Sequence, residues 1–242
     1  MSTTLLVLVG FFLLAGFFVY LAIASAKKAE AELNTKLNSI GFTRCLDIAF
    51  KDLVARQLQI VNTRHVGNRL LLNLYHKDPS QNDHDLYFCD YRFASASGKA
   101  RGSSALLVCL ISKTLKLPRF TIESYPEGGP VILTKLFEAL SDGLAFPDVK
   151  QIDSQLFGLN KYFRVYVAPE QRDQLLSIKS EVGAAIADKS GISLDAKGNA
   201  LVLSDIHFKS DLVGRKSLDL QKVNSLVNIC LTLNENLKVG NK

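Results

Sequence analysis

The chain holds four histidines, His65, His76, His84 and His207, the side chains best matched to proton transfer and metal binding near neutral pH. Neither His-x-x-x-His nor His-Glu-x-x-His occurs, so no helix face presents two imidazoles to one zinc ion. Asp83-His84-Asp85 is the densest titratable cluster. It follows a run of turn formers from Pro79, between two apolar segments, and reads as a solvated hairpin tip. As a metal site it would need ligands from elsewhere in the fold. Asp90 and Arg92 share one face of an alternating strand, where such residues pair across a sheet or line a cleft. His84, Asp90 and Arg92 are the candidate cleft residues.

Other chemistries lack their parts. Gly98-Lys99-Ala100-Arg101-Gly102-Ser103-Ser104 combines glycines, cations and hydroxyls, but not at the spacing of a phosphate-binding loop. It also joins two strands, so no helix N-terminus faces an anion. A basic loop touching lipid phosphates is the remaining reading of it. No Gly-x-Ser-x-Gly elbow occurs. Cys45, Cys89, Cys109 and Cys230 are widely separated, without a Cys-x-x-Cys pair, and the last three fall in apolar runs. Buried free thiols are the expectation. Tyr87, Tyr91 and Phe93 share a strand face without an interleaved Lys or Arg, so a core stripe is expected instead of a base-stacking platform. No catalytic residue is identified, and no cofactor, metal or nucleic-acid partner is expected.

The elements that position these residues follow from periodicity. Arg69 to Tyr75 is a Leu-rich strand, Leu86 to Phe93 an alternating one, and Ala105 to Ile111 an apolar strand across a turn at Ser97 to Gly102. Arg119 to Glu123 is a further strand with Phe120 and Ile122 inward. Tyr125 to Pro130 breaks the chain, and a short helix follows with Ile132, Leu136 and Leu140 at helical spacing. Tyr162 to Val167 is a strand, and Glu170 to Lys189 one amphipathic helix. A second hairpin turns at Lys197-Gly198-Asn199, and Leu218 to Leu237 is a long helix. Residues 45–66 are ambiguous between helix and loop. The pattern is α+β, with a mainly antiparallel sheet covered by helices on one face.

The strongest signal is N-terminal. Leu5 to Ala26 carries no charge and is mostly Leu, Val, Phe, Ala and Gly. A bilayer core needs about 20 such residues as a helix. Residues 1–26 are read as a single-pass transmembrane anchor, 27–41 as a helical stalk, and 42–242 as one α+β domain. Ala24-Ser25-Ala26 also fits a signal-peptidase pattern, so an exported domain cleaved near Ala26 is the competing reading. Against it, no Lys or Arg precedes the segment, whereas Lys27 and Lys28 follow it. The positive-inside rule then leaves the N-terminus outside and the main domain cytoplasmic, at a bacterial inner membrane. Residues 27–80 carry nine Lys and Arg against five Asp and Glu, so the basic excess lies nearest the bilayer, where anionic lipid head groups attract it.

The order of short segments has a likeness. Asp90-Tyr91-Arg92-Phe93, Leu117-Pro118-Arg119-Phe120, Tyr125-Pro126-Glu127 and Tyr162-Phe163-Arg164-Val165, followed by a hairpin and a helix, span roughly residues 65–237. This arrangement resembles a family of uncharacterised bacterial membrane-anchored proteins with a cytoplasmic domain of unknown function. The chain departs from that family in having one anchor and not a pair. The resemblance implies no activity and no catalytic residues. The sequence alone therefore points to a binding or scaffold module for a protein partner or lipid head groups. The alternative is an enzyme whose site is assembled from scattered polar residues.

Overall fold

A computed structural model describes residues 3–47, 49, 51–52, 54, 69–78, 83–93, 103–124, 149–189, 191–205 and 218–239. The chain divides into two compact units, Met1–Gly41 and Phe42–Lys242.

The first unit is one helix, α1 (Thr3–Ser39), of 37 residues. At 1.5 Å per residue it is about 55 Å long, and it is long and apolar enough to cross a membrane. Phe11, Phe12, Leu13, Leu14, Phe17, Phe18, Val19 and Tyr20 are each 58–70% exposed. The helix continues without a break through Lys27 and Lys28. It closes where Ile40 N–H and Gly41 N–H bond the carbonyls of Leu37 and Asn38. Gly41 there takes φ 87°, the left-handed conformation that favours glycine.

The second unit is built on a nine-stranded antiparallel sheet. Its strands are β1 (Thr43–Arg44), β2 (Arg69–Lys77), β3 (His84–Phe93), β4 (Ser103–Ser112), β5 (Leu117–Ser124), β6 (Lys150–Ile152), β7 (Phe163–Val167), β8 (Ile192–Gly198) and β9 (Ala200–Asp205). Their order across the sheet is β1-β2-β3-β4-β9-β8-β5-β7-β6. The β2–β3, β3–β4 and β8–β9 pairs are sequence neighbours. By contrast β4 and β5, close in sequence, are separated by the late β8–β9 hairpin wedged between them. That hairpin turns at Gly198, whose φ is 60°.

The α+β class with a mainly antiparallel sheet is thus the observed architecture. Its cover differs from the one-face expectation. Consecutive residues Leu107 to Leu110, Phe120 to Ser124 and Ala200 to Leu203 are all buried, so the middle of the sheet is covered on both faces. On one face, Leu74, Tyr87, Cys89, Leu107, Cys109, Ala200 and Val202 form a buried cluster with Val54, which like residues 49, 51 and 52 is helical. Those residues resolve part of the ambiguous 45–66 region as helix. On the other face Phe42, Tyr75 and Phe88 meet edge to face, with ring centroids 6.1 and 6.2 Å apart.

The single helix expected over 170–189 is two. A 3-10 turn (Pro169–Gln171) leads into α2 (Arg172–Ser177), and α3 (Lys179–Ile186) follows after Ile178. Ile178 has φ −113° and ψ 12°, outside the helical region. The break re-aims α3 so that Gly183 lies against the backbone of Phe157, the last residue of a 3-10 turn (Ser154–Phe157). Leu175, Val182 and Ile186 are buried. The last helix, α4 (Leu220–Val239), packs on β4, β9 and α3. Its buried stripe is Val223, Leu226, Val227, Cys230, Leu233 and Leu237. The turn read at 97–102 and the short helix read near 132–140 lie outside the described residues.

Candidate functional site

Among the described residues, three places bring polar side chains together. The first is the β2–β3 end that carries Asp83, His84 and Asp85. His84 Nδ1 lies 2.7 Å from Asp83 Oδ1, and the other oxygen of Asp83 pairs with Lys238 in the last turn of α4. The His84 side chain is only 12% exposed. At Asp83 and His84, the described end of that tip, α4 supplies a cation, and one carboxylate bridges imidazole and ammonium; residues 79–82 lie outside the described residues. On the other sheet face, His76 sits between Asp78 and Asp85, with each ring nitrogen 3.4 Å from a carboxylate oxygen. Its ring stacks on Tyr87 with centroids 5.0 Å apart.

A carboxylate-oriented histidine is half of a nucleophilic relay. The residue opposite His84 in register is Ser112. Ser112 is fully buried, and its hydroxyl lies 3.2 Å from Thr114 Oγ1. It is not presented to a substrate, so the cluster works as a clamp between the hairpin and α4.

The second place was not read from the sequence. On β7, β5 and β8 alternate residues facing one side are polar, and their register aligns them in two rows. Tyr166, Thr121 and Asp195 form one row, and Arg164, Glu123 and Ser193 the other. Thr121, Glu123, Tyr166, Ser193 and Asp195 are at most 7% exposed. Thr121 Oγ1 donates to Asp195 Oδ1 at 2.6 Å. Burying carboxylates is costly unless they are hydrogen-bonded or paired, and Thr121 supplies such a bond to Asp195 from the neighbouring strand. The legible signal was the polar alternation in three separate segments. What sequence alone did not give was their register.

The third place is an open groove of about 570 Å³ between α3 and α4. Ala184 and Ala185 line one side. Gln221, Asn224, Ser225, Asn228 and Thr232 line the other, with Ile229 beside them and Lys189 the one charged lining residue among those described. At 3.6 residues per turn, those five uncharged polar residues fall within about 100° of arc on α4, opposite its buried stripe.

Asp90 and Arg92 occupy β3, paired with Leu106 and Ser104 of β4; their side chains lie outside the described residues. Lys27 and Lys28 are exposed on α1. The rest of the basic loop at 98–102, together with His65 and His207, also lies outside the described residues.

Cys89, Cys109 and Cys230 are buried free thiols, and Cys45 is half-buried. Burial pushes the Cys109 thiol up to about 12 and the Cys230 thiol well above its ordinary value. Desolvation also raises Cys45, against a lowering by Lys51. Burial, with Asp85 nearby, raises Tyr87 as well. Cys109, Cys230 and Tyr87 therefore stay neutral near pH 7 and pack the core.

Among known proteins, no family model, no curated protein and no solved structure matches the chain.

Proposed function

We propose that the chain is a single-pass membrane protein whose α+β unit is a cytoplasmic binding module for a protein partner or lipid head groups. The observation that carries this reading is the exposure of α1. A helix that packs on a soluble core hides one apolar stripe, whereas α1 exposes Phe11, Phe12, Leu14, Phe17, Phe18 and Leu21 around its circumference. Lipid is the solvent in which such a surface is stable. An unbroken helix through Ala26 to Ser39 supports a retained anchor over a cleaved leader. Lys27 and Lys28, directly after the apolar segment, support a cytoplasmic location for the larger unit at the inner membrane.

The binding role is supported by the α3–α4 groove, which is open and lined by amides and hydroxyls. Alkaline carbonate extraction of membranes holding the full chain tests the anchor. The chain is expected in the pellet at its full mass; release to the supernatant, or a chain beginning at Lys27, overturns the reading.

A further inference from the structure

We infer that the α3–α4 groove binds an extended peptide segment of a protein partner through its main chain, with an acidic side chain at one end. This names the partner class of the binding module proposed above and rests on that reading.

A solvent-facing stripe normally carries charge, yet from Gln221 to Thr232 the described groove lining on α4 is amides and hydroxyls with Ile229 beside them, and charge returns on that face at exposed Glu235. Asn is a poor helix former because its side chain competes for backbone hydrogen bonds. Asn224 and Asn228 are exposed, so packing does not explain them. Among the described residues, the side chains of Gln221, Asn224, Asn228 and Thr232 make no hydrogen bond or ion pair. A free carboxamide offers one acceptor and two donors, the complement of the N–H and C=O of one peptide unit. The spacing also fits. Gln221 and Thr232 are eleven residues apart, about 16 Å along a helix, which is the reach of about five residues of extended chain at 3.3 Å each. The small side chains of Ala184 and Ala185 leave room on the α3 side.

Charge sets the rest. Among the described residues no carboxylate lines the groove, and Lys189, three residues past the end of α3, makes no ion pair. An Asp or Glu of the peptide is its complement. A lipid phosphate would also suit Lys189, but one cation beside a row of neutral amides favours a backbone over an anionic surface.

The test is a selection of random octapeptides displayed on phage, against the full chain in phosphatidylcholine nanodiscs. The expected result is enrichment of peptides with Asp or Glu at one position and no other fixed side chain. The Asn224→Ala/Asn228→Ala double variant should capture the enriched peptides at least tenfold more weakly, and Lys189→Ala should lose the acidic preference. Both variants place a better helix former or a neutral residue at the surface, and an unchanged circular dichroism spectrum verifies their fold. No enrichment over empty nanodiscs, undiminished capture by the double variant, or complete displacement by phosphatidylglycerol in the nanodisc overturns the proposal. Incorporation into the nanodisc scores the anchor separately, so a chain that incorporates and captures no peptide defeats the groove assignment alone.

Discussion

Replacing Gly183 with alanine sets helix propensity against packing, and the two effects have opposite signs. Within a helix, alanine is favoured over glycine by about 1 kcal/mol, so propensity alone predicts a more stable protein. The structure predicts the reverse. A Cβ on Gly183 would overlap the carbonyl oxygen of Phe157 and stand 2.9 Å from its carbonyl carbon and 3.4 Å from its Cα. All three are backbone atoms. Phe157 is buried, and its 3-10 turn is fixed at both ends: Asp153 accepts from Gln155 N–H, and Gly158 takes φ 68°. The turn cannot give way cheaply, so α3 must retreat. A gap of about 0.5–1 Å forfeits a quarter to a half of the contact energy of the atoms lining it, and Val182 and Ile186 are the residues that lose it. Overpacking of this kind costs about 3 kcal/mol at the upper end of its range, leaving a net destabilisation of about 2 kcal/mol. The assay is urea unfolding of the full chain in detergent, followed by circular dichroism. Ala184→Gly, at an exposed neighbouring position, is the control and loses only the propensity of about 1 kcal/mol. A Gly183→Ala protein as stable as the parent, or more stable, would refute the close approach of α3 to that turn.

Further outcomes follow from the same structure. Thr121→Val removes the 2.6 Å donor to buried Asp195 and should cost about 2 kcal/mol in urea unfolding, since hydrogen bonds to charged groups are worth about 1.5–3 kcal/mol. Cys109 holds its proton up to about pH 12 when folded but releases it near 9.0 when unfolded. Its stabilisation is therefore full below pH 9 and lost as pH rises toward 12, by up to about 1.4 kcal/mol per unit; unfolding midpoints from pH 8 to 10.5 should fall less steeply in Cys109→Ala. In the native protein, iodoacetamide should label half-buried Cys45 first, with Cys89, Cys109 and Cys230 reacting only on unfolding, as read by mass spectrometry. Lys27→Glu/Lys28→Glu removes the positive flank of α1 and should scatter the orientation of a C-terminal reporter between the two sides of the membrane.

The elements with strong periodicity were legible. The α1 segment announces itself by 22 uncharged residues from Leu5 to Ala26, and β3 and β4 by alternation and a short apolar run. Lys197-Gly198-Asn199 marked the β8–β9 hairpin because glycine supplies a left-handed turn. Order across the sheet was not legible, since nothing local says that β8 and β9 insert between β4 and β5. For that reason the polar rows through Thr121, Glu123 and Asp195 were missed: each strand shows only its own alternation. The two-residue β1 and three-residue β6 are too short to carry a period. The break at Ile178 has no local signal either, because isoleucine there fits the stripe of one continuous helix. At the Asp83-His84-Asp85 tip, composition suggested water, while the cation that covers Asp83 comes from Lys238, far along the chain. The groove stripe on α4 was readable in principle, as Gln221, Asn224, Asn228 and Thr232 recur at helical spacing, but uncharged polar residues invite no chemistry until a neighbouring helix makes them a wall.

The most direct test of the account is a pair of reporters fused in turn after Lys242 in a bacterial host. A fluorescent protein that matures only in the cytoplasm should glow in the membrane fraction, with alkaline phosphatase at the same position inactive. Phosphatase activity with no fluorescence would contradict the orientation of α1 and, with it, the cytoplasmic binding module.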